Sequence, residues 1–267
     1  MADCGEQRGA HPVGRTALVT GASRGIGRAI ARRMALDGAW VAVHYGHDAA
    51  PATQTVREIE QAGGQAVAVR CALGRHDDAD RLFGTLEPLL PGGRLDILIN
   101  NAGGNLGTGA IETTTADEFD RIVAPNARTP YFLIQRALPL LRDGGRIINI
   151  SSADTRIAFT SELAYSMAKC TLTVLGRTLA LALGGRGITV NTVAPGIIET
   201  DQNAWLHASD EIRAASASAT ALNRIGQPDD IADIVAFLAS DDARWITGHL
   251  VDATGGTYLD PRNTGWC

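Results

Sequence analysis

The sequence predicts an α/β fold, a doubly wound parallel sheet of about seven strands with helices on both faces. Three observations carry that expectation. Short Val- and Ile-rich runs alternate with longer amphipathic stretches along the whole chain. The runs are almost continuously apolar, as strands must be when helices cover both faces of their sheet. No internal repeat, low-complexity tract or Pro/Ser-rich linker interrupts the 267 residues, so a single domain is expected.

A short polar arm, residues 1–13, should precede the domain proper, 14–267. Strands are predicted at 16–20, 40–45, 65–70, 95–100, 146–151, 188–194 and 250–253. Helices are predicted at 26–37, 49–62, 76–90, 116–142, 162–184 and 228–239, where apolar residues recur at helical spacing. Pro125 lies inside the fourth of these and should kink it. Right-handed crossovers make such a sheet parallel, and ligands then bind beyond the carboxyl ends of its strands. The stretch 197–224 breaks the rhythm: it holds Trp205, His207 and a run of small residues but no clear strand. Long excursions of this kind serve as lids or binding loops, so Trp205 and His207 are candidates for facing a substrate.

Composition narrows the function. Apolar residues make up 45% and charged residues 20%, with a net charge of −5. That balance offers no general attraction for nucleic acid or anionic lipid. No run approaches the ~18 uninterrupted apolar residues of a membrane span, and the polar start lacks the apolar core of a signal peptide. A cytoplasmic address is therefore expected. Cys4, Cys71, Cys170 and Cys267 are scattered and read as free thiols, and the six histidines form no HxH or HExxH pair, so no metal is expected.

The first predicted strand runs directly into Gly21-Ala22-Ser23-Arg24-Gly25-Ile26-Gly27 and then a helix. Glycines there permit a tight turn and close backbone approach to a pyrophosphate, and the new helix offers free N–H groups. A Rossmann-type dinucleotide site follows. The second strand ends His44-Tyr45-Gly46-His47, with Tyr45 where NAD-binding proteins place a carboxylate for the ribose 2′-hydroxyl. Without that anion a 2′-phosphate is not repelled. Arg24 in the loop, with His47, could bind it, so NADP(H) is expected.

Of the 24 Lys and Arg residues, 23 are Arg and only Lys169 is Lys. It follows Tyr165 by four, so the two share a helix face. Ser152 closes the fifth strand, and Asn126 lies in the helix before it. A tyrosine near its reference pKa of about 10 exchanges protons poorly at neutral pH, and a neighbouring ammonium would stabilise its phenolate. Ser152 could hold a substrate oxygen against it. A compact ammonium between a phenol and a ribose is a task the planar guanidinium does badly, which explains the single lysine.

With these residues on the page, the chain resembles the short-chain dehydrogenases/reductases from about Gly14 to Gly256. The matching strings are Thr20–Gly27, Asn100-Asn101-Ala102-Gly103, Ser152, Tyr165-x-x-x-Lys169, and Pro195-Gly196 leading to Thr200. The resemblance implies a tetrad of Asn126, Ser152, Tyr165 and Lys169, with Asn126 holding a relay water. It also implies cofactor contacts from Asn101, Ala102 and Gly103, and from Pro195, Gly196, Ile198 and Thr200. Where the family often carries an Asp for the adenine, Cys71-Ala72-Leu73 stands, so adenine contact would rest on backbone groups, with Leu73 among the cofactor-binding residues. Further strings look like bacterial ketoreductases, including those of aromatic polyketide tailoring, and the resemblance implies a homotetramer. The expected function is NADPH-dependent reduction of a ketone to a secondary alcohol. Alcohol oxidation with NAD(P)+ and a non-catalytic dinucleotide sensor are the alternatives. An enoyl reductase of the related type would show a wider Tyr–Lys spacing than four.

Overall fold

A computed structural model of the chain describes residues 14–105, 109–257 and 259. The expected arm, 1–13, lies outside them, as do Cys4 and Cys267. Seven strands form one sheet: β1 (Thr16–Val19), β2 (Trp40–Tyr45), β3 (Gln65–Arg70), β4 (Leu95–Asn100), β5 (Leu141–Ile150), β6 (Thr189–Pro195) and β7 (Leu250–Ala253). Their order is β3-β2-β1-β4-β5-β6-β7, and every pairing is parallel.

The near-continuous apolarity of the strands has its reason here. Ala17, Val19, Val41, Val43, Ile97 and Ile99 face one layer, packing on α1 (Gly25–Leu36), α2 (Ala49–Gln61) and α8 (Pro228–Ala239). The alternating residues Leu18, Ala42, Leu98, Ile147 and Val190 face the other. That layer is built from α3 (Asp78–Leu86), α5 (Thr129–Ala137) and α6 (Leu163–Leu183). Both faces are therefore core, and the chain reverses between β1 and β4, which opens a crevice there.

The structure corrects two boundaries. β5 begins at Leu141, which pairs with Leu95 before a register shift, so the helix expected to reach 142 ends at Ala137. The helix expected at 76–90 also stops early, at Leu86, and Pro88 and Pro91 each sit in a separate 3-10 turn after it. Pro125 does not simply kink its helix. The segment is α4 (Ala116–Val123), a π turn over Ala124–Arg128, and α5. Proline has no N–H for the usual bond one turn back, and the wider turn restores pairing through Thr129 N–H to Ala124 O. The lid region folds as a 3-10 helix, Asp201–His207, and α7 (Asp210–Ser218), capped by Ser209.

Candidate active site

The crevice is stapled before any ligand enters it. Thr20 Oγ1 accepts from the N–H groups of Asn101 (2.9 Å) and Ala102 (3.0 Å), while Asn101 Nδ2 donates to Thr20 O (2.9 Å) and Gly21 O (3.2 Å). The glycine loop is thus fixed to the turn after β4. Gly21 and Gly25 both have positive φ, and a Cβ on Gly27 would stand 2.2 Å from Gly21 O. A side chain at Gly27 would break the turn. Ser23 is half-buried in this loop, Ile26 packs against the core below it, and Arg24 is exposed at the cap of α1 in extended conformation. Among the described residues its guanidinium has no hydrogen-bond or ion-pair partner. Tyr45 is half-buried at the end of β2 and His47 is exposed just beyond it. These residues fit a dinucleotide phosphate: a glycine cradle with no room for a Cβ, helix N–H groups and an unpaired cation.

His44, counted with Tyr45 and His47 among the residues expected at the cofactor, has a different place. It is buried beneath the loop, its Nδ1 accepting from Gly21 N–H (3.0 Å) and its Nε2 bonded to Cys71 O (2.9 Å). Since Gly21 N can only donate and Cys71 O only accept, the ring is the neutral Nε2–H tautomer. Burial holds its pKa down at about 4. Both nitrogens are committed, so His44 supports the loop rather than reaching a ligand. Leu73 is half-buried in the turn after β3. That turn is anchored by buried Asp78, whose carboxylate accepts from Gly74 N–H (2.9 Å) and from the Thr129 hydroxyl.

The four tetrad residues converge. Ser152 follows β5, and its Oγ accepts from Asp154 N–H (3.3 Å), which leaves its own proton to donate outward. Ser151 Oγ donates to Lys169 O (3.1 Å), tying that strand end to α6. Lys169 is buried, with Nζ donating to Ile150 O (2.9 Å) and lying 5.8 Å from the Tyr165 ring centroid. Asn126 sits in the π turn, fully buried. Its Nδ2 donates to Gly104 O (3.0 Å) and Ile122 O (2.8 Å), and its Oδ1 accepts from Gly104 N–H (3.0 Å). Both amide hydrogens are used, so the side chain clamps the β4 turn. A Cβ on Gly103 would fall 2.4 Å from Asn126 Oδ1 and 3.5 Å from Lys169 Nζ.

The electrostatics differ from expectation at Tyr165. Burial and then the Asp154 carboxylate raise its pKa, with Ser152 hydrogen bonding opposing them. Lys169 was expected to lower it, but Nζ is held at the Ile150 carbonyl and lies over the ring face. Tyr165 is therefore kept as a protonated phenol. Burial lowers Lys169 to about 8, with Asp154 pulling the other way.

Farther along the crevice, Thr200 Cγ2 would lie 3.4 Å from a Cβ on Gly25, and Gln202 Nε2 donates to Gly103 O (3.3 Å). The start of the lid thus touches both walls. Ile198 is buried in the core and bridges Gly226, Pro195 ends β6, and Gly196 packs on Thr254 with no room for a Cβ. Trp205 and His207 are exposed, Trp205 Nε1 donating to Asn203 Oδ1 (3.2 Å) and His207 lying 3.8 Å from Glu199. Neither lines the cavity of about 550 Å³ formed largely by the loop that follows Ser152. Its walls come from 110–112, 154–160, Leu163 and Ser166, with Ile157, Phe159 and Leu163 apolar and Glu112, Asp154 and Arg156 among the polar residues. Sequence reasoning passed over this loop. The signal was its position directly after Ser152 at a strand's carboxyl end, where α/β folds gather ligands.

A family model described as enoyl-(acyl carrier protein) reductase matches residues 21–258. An uncharacterised oxidoreductase of Methylorubrum extorquens is 43% identical over 246 residues, covering 91% of this chain and 97% of its own. Versicolorin reductase of Emericella nidulans is 37% identical over 256 residues, covering 92% and 96%. Among solved structures the chain is similar to the promiscuous reductase LugOII, which catalyses keto-reduction at C1 during lugdunomycin biosynthesis. The TM-score is 0.89 at 47% identity, over 94% of this chain and 100% of that one. It is likewise similar to the angucycline C-6 ketoreductase LanV with bound NADP, with TM-score 0.89, 46% identity, and coverage of 94% and 98%.

Proposed function

The chain belongs to the short-chain dehydrogenase/reductase family and is an NADP(H)-dependent ketoreductase, and we propose that its substrate is a ketone on an aromatic, polyketide-like scaffold. The observation that carries the substrate reading is the cavity in the loop that follows Ser152, where Ile157, Phe159 and Leu163 supply apolar wall among polar residues that include Asp154 and Arg156. Similarity to LugOII, LanV and versicolorin reductase supports it.

The tetrad divides the chemistry. NADPH bound along the glycine loop supplies the hydride. Ser152 donates its hydroxyl proton in a hydrogen bond to the carbonyl oxygen and holds it against Tyr165. Tyr165 transfers its own proton to that oxygen, which completes the alcohol and leaves a phenolate. Lys169, largely an ammonium below its pKa of about 8 and 5.8 Å from the ring centroid, attracts that phenolate without offsetting the burial that raises the phenol's pKa. Asn126 positions the turn at Gly103–Gly104 against both. A raised phenol pKa suits the reductive direction, because the proton is in place when the carbonyl arrives. Arg24, with His47 nearby, takes the 2′-phosphate.

Purified protein titrated with NADPH and NADH by nicotinamide fluorescence, then supplied with aromatic ketones, tests the reading. Tighter NADPH binding and ketone-dependent NADPH consumption are expected. Equal binding of the two cofactors would remove Arg24 from the phosphate site, and turnover confined to small aliphatic ketones would remove the aromatic substrate.

A further inference from the structure

We propose that Arg128 is a cofactor-positioning residue: through it the π turn at Ala124–Arg128 sets the adenylyl end of the NADPH site, as it sets the nicotinamide end through Asn126. The inference rests on NADPH lying along the glycine loop and adds the residues that fix the far end of its site.

Strand order says where that far end lies. Ser152 follows β5, the glycine loop follows β1, and Tyr45 and His47 stand at the end of β2, in a sheet ordered β3-β2-β1-β4-β5. A dinucleotide with its nicotinamide at the tetrad and its pyrophosphate at the loop carries its adenine toward the turn after β3, residues 71–74. Ala72 and Leu73 in that turn have no polar side-chain atom, so a purine meets backbone there. The path of that backbone then decides the fit.

The path is held from both sides. On the glycine-loop side, His44 joins Gly21 N–H (3.0 Å) to Cys71 O (2.9 Å). On the other side the hold comes from the π turn and the residue after it. Arg128 Nη2 donates to Gly74 O (2.6 Å), and Asp78, which accepts from Gly74 N–H (2.9 Å), is itself fixed by the Thr129 hydroxyl. Pro125 Cδ would stand 3.6 Å from a Cβ on Gly74, whose φ is +92°. The turn after β4 is held in the same manner, because Asn126 pairs with both the N–H and the C=O of Gly104, at 3.0 Å each. One widened turn of helix thus fixes a glycine in each of two turns, after strands that stand three places apart in the sheet. A half-buried guanidinium is costly without bonds, and among the described residues Gly74 O is the partner that Arg128 has. A turn ordered before the ligand arrives spares binding that ordering cost. Loosening Gly74 therefore weakens the adenylyl half of the cofactor and spares the nicotinamide half.

The test is binding, with the full chain and no ketone present. NADPH and reduced nicotinamide mononucleotide are titrated by nicotinamide fluorescence, and adenosine 2′,5′-bisphosphate by calorimetry. Arg128→Leu is expected to weaken NADPH and the bisphosphate by about fivefold or more, the worth of one hydrogen bond, with the mononucleotide kept within about twofold. Arg128→Lys, which can still donate to Gly74 O, is expected to recover most of the loss. Thr129→Val, which releases Asp78, is expected to follow Arg128→Leu and carries the same comparison if that variant does not fold. Unchanged bisphosphate affinity, or equal weakening of both fragments, overturns the inference while leaving the ketoreductase reading in place. If wild type binds NADPH no tighter than the mononucleotide, the adenylyl half has no site here, and the inference falls together with the Arg24 phosphate site.

Discussion

At the residue scale, Lys169 carries two demands that oppose each other. Its ammonium is buried, and its pKa is lowered from 10.5 to about 8. Between those values the unfolded chain binds more protons than the folded one, so stability rises with pH across that window and the buried charge costs stability below it. Replacing it with the neutral, similarly shaped Lys169→Met is expected to stabilise the cofactor-free protein at pH 7. A shift of this size is worth on the order of 3 kcal/mol, offset by about 1 kcal/mol for the lost bond to Ile150 O. The same variant should be nearly inactive, and its melting advantage should fade by pH 10. A lower melting temperature than wild type at pH 7 would show that the ammonium is not strained by burial. Tyr165→Phe separates the other role: turnover should fall by at least a thousandfold, with NADPH affinity kept within about threefold, since only the proton is removed. His44 adds an acid limit. Its folded pKa of about 4 lies below the ordinary 6.5, so the stability it contributes is whole above 6.5 and is lost as pH falls toward 4. His44→Gln should flatten that part of the melting profile, and an unchanged acid slope would remove His44 as its source. These titrations were not legible in the sequence, which displays residue types but not their burial. The single lysine among 23 arginines was legible, and so was its pairing with Tyr165.

At the scale of elements, the π turn at Ala124–Arg128 is the feature that sequence reasoning half reached. Pro125 announced a distortion, because a missing N–H cannot be hidden inside a helix. It could not say whether the helix would bend or widen. Widening points Asn126 at the turn after β4, where its amide is consumed by Gly104 and Ile122. Pro125→Ala restores the N–H and permits the ordinary helical register. The expected result is a tenfold or greater loss of kcat with the far-ultraviolet circular dichroism spectrum preserved, and full activity would show that the π turn does not depend on the proline. The lid teaches the complementary lesson. Its helical content could be expected from the small-residue run, yet Trp205, its most conspicuous side chain, is turned outward. The cavity wall belongs instead to the loop after Ser152. Aromatic residues attract attention in a sequence, but which way a loop folds back is decided by tertiary contacts. Here one such contact is the paired hydrogen bond, at 2.8 Å each, from Arg213 to Glu199.

For the whole molecule, the parallel sheet and its two core layers followed from the near-continuous apolarity of the strands and the handedness of their connections, whereas the strand order came from the structure. The outer surface is where one chain leaves matters open. Met167, Val174 and Leu181 recur every seven residues on the exposed side of α6, the last 88% exposed, with Tyr131 and Phe132 exposed on α5. By length and composition α6 could cross a membrane, yet its opposite side buries Lys169, Leu172 and Gly176 in the domain. We therefore propose that this stripe is an interface between copies of the chain, in keeping with the tetramer implied by the family resemblance. Val174→Glu should convert the assembly to smaller species in size-exclusion chromatography with light scattering. A monomeric wild type would exclude this arrangement.

Gly103 sits against the amide of Asn126 with no space for even one methyl group, and the ammonium of Lys169 lies at contact distance from the same point. A mutational route through this position displaces the Asn126 amide, because a single added carbon would stand on its Oδ1. The loop from Asp154 to Leu163 contains no glycine and is under no such constraint. Over evolutionary time a lineage built on this scaffold is free to trade one substrate for another along that loop, while the hub that moves the proton stays frozen.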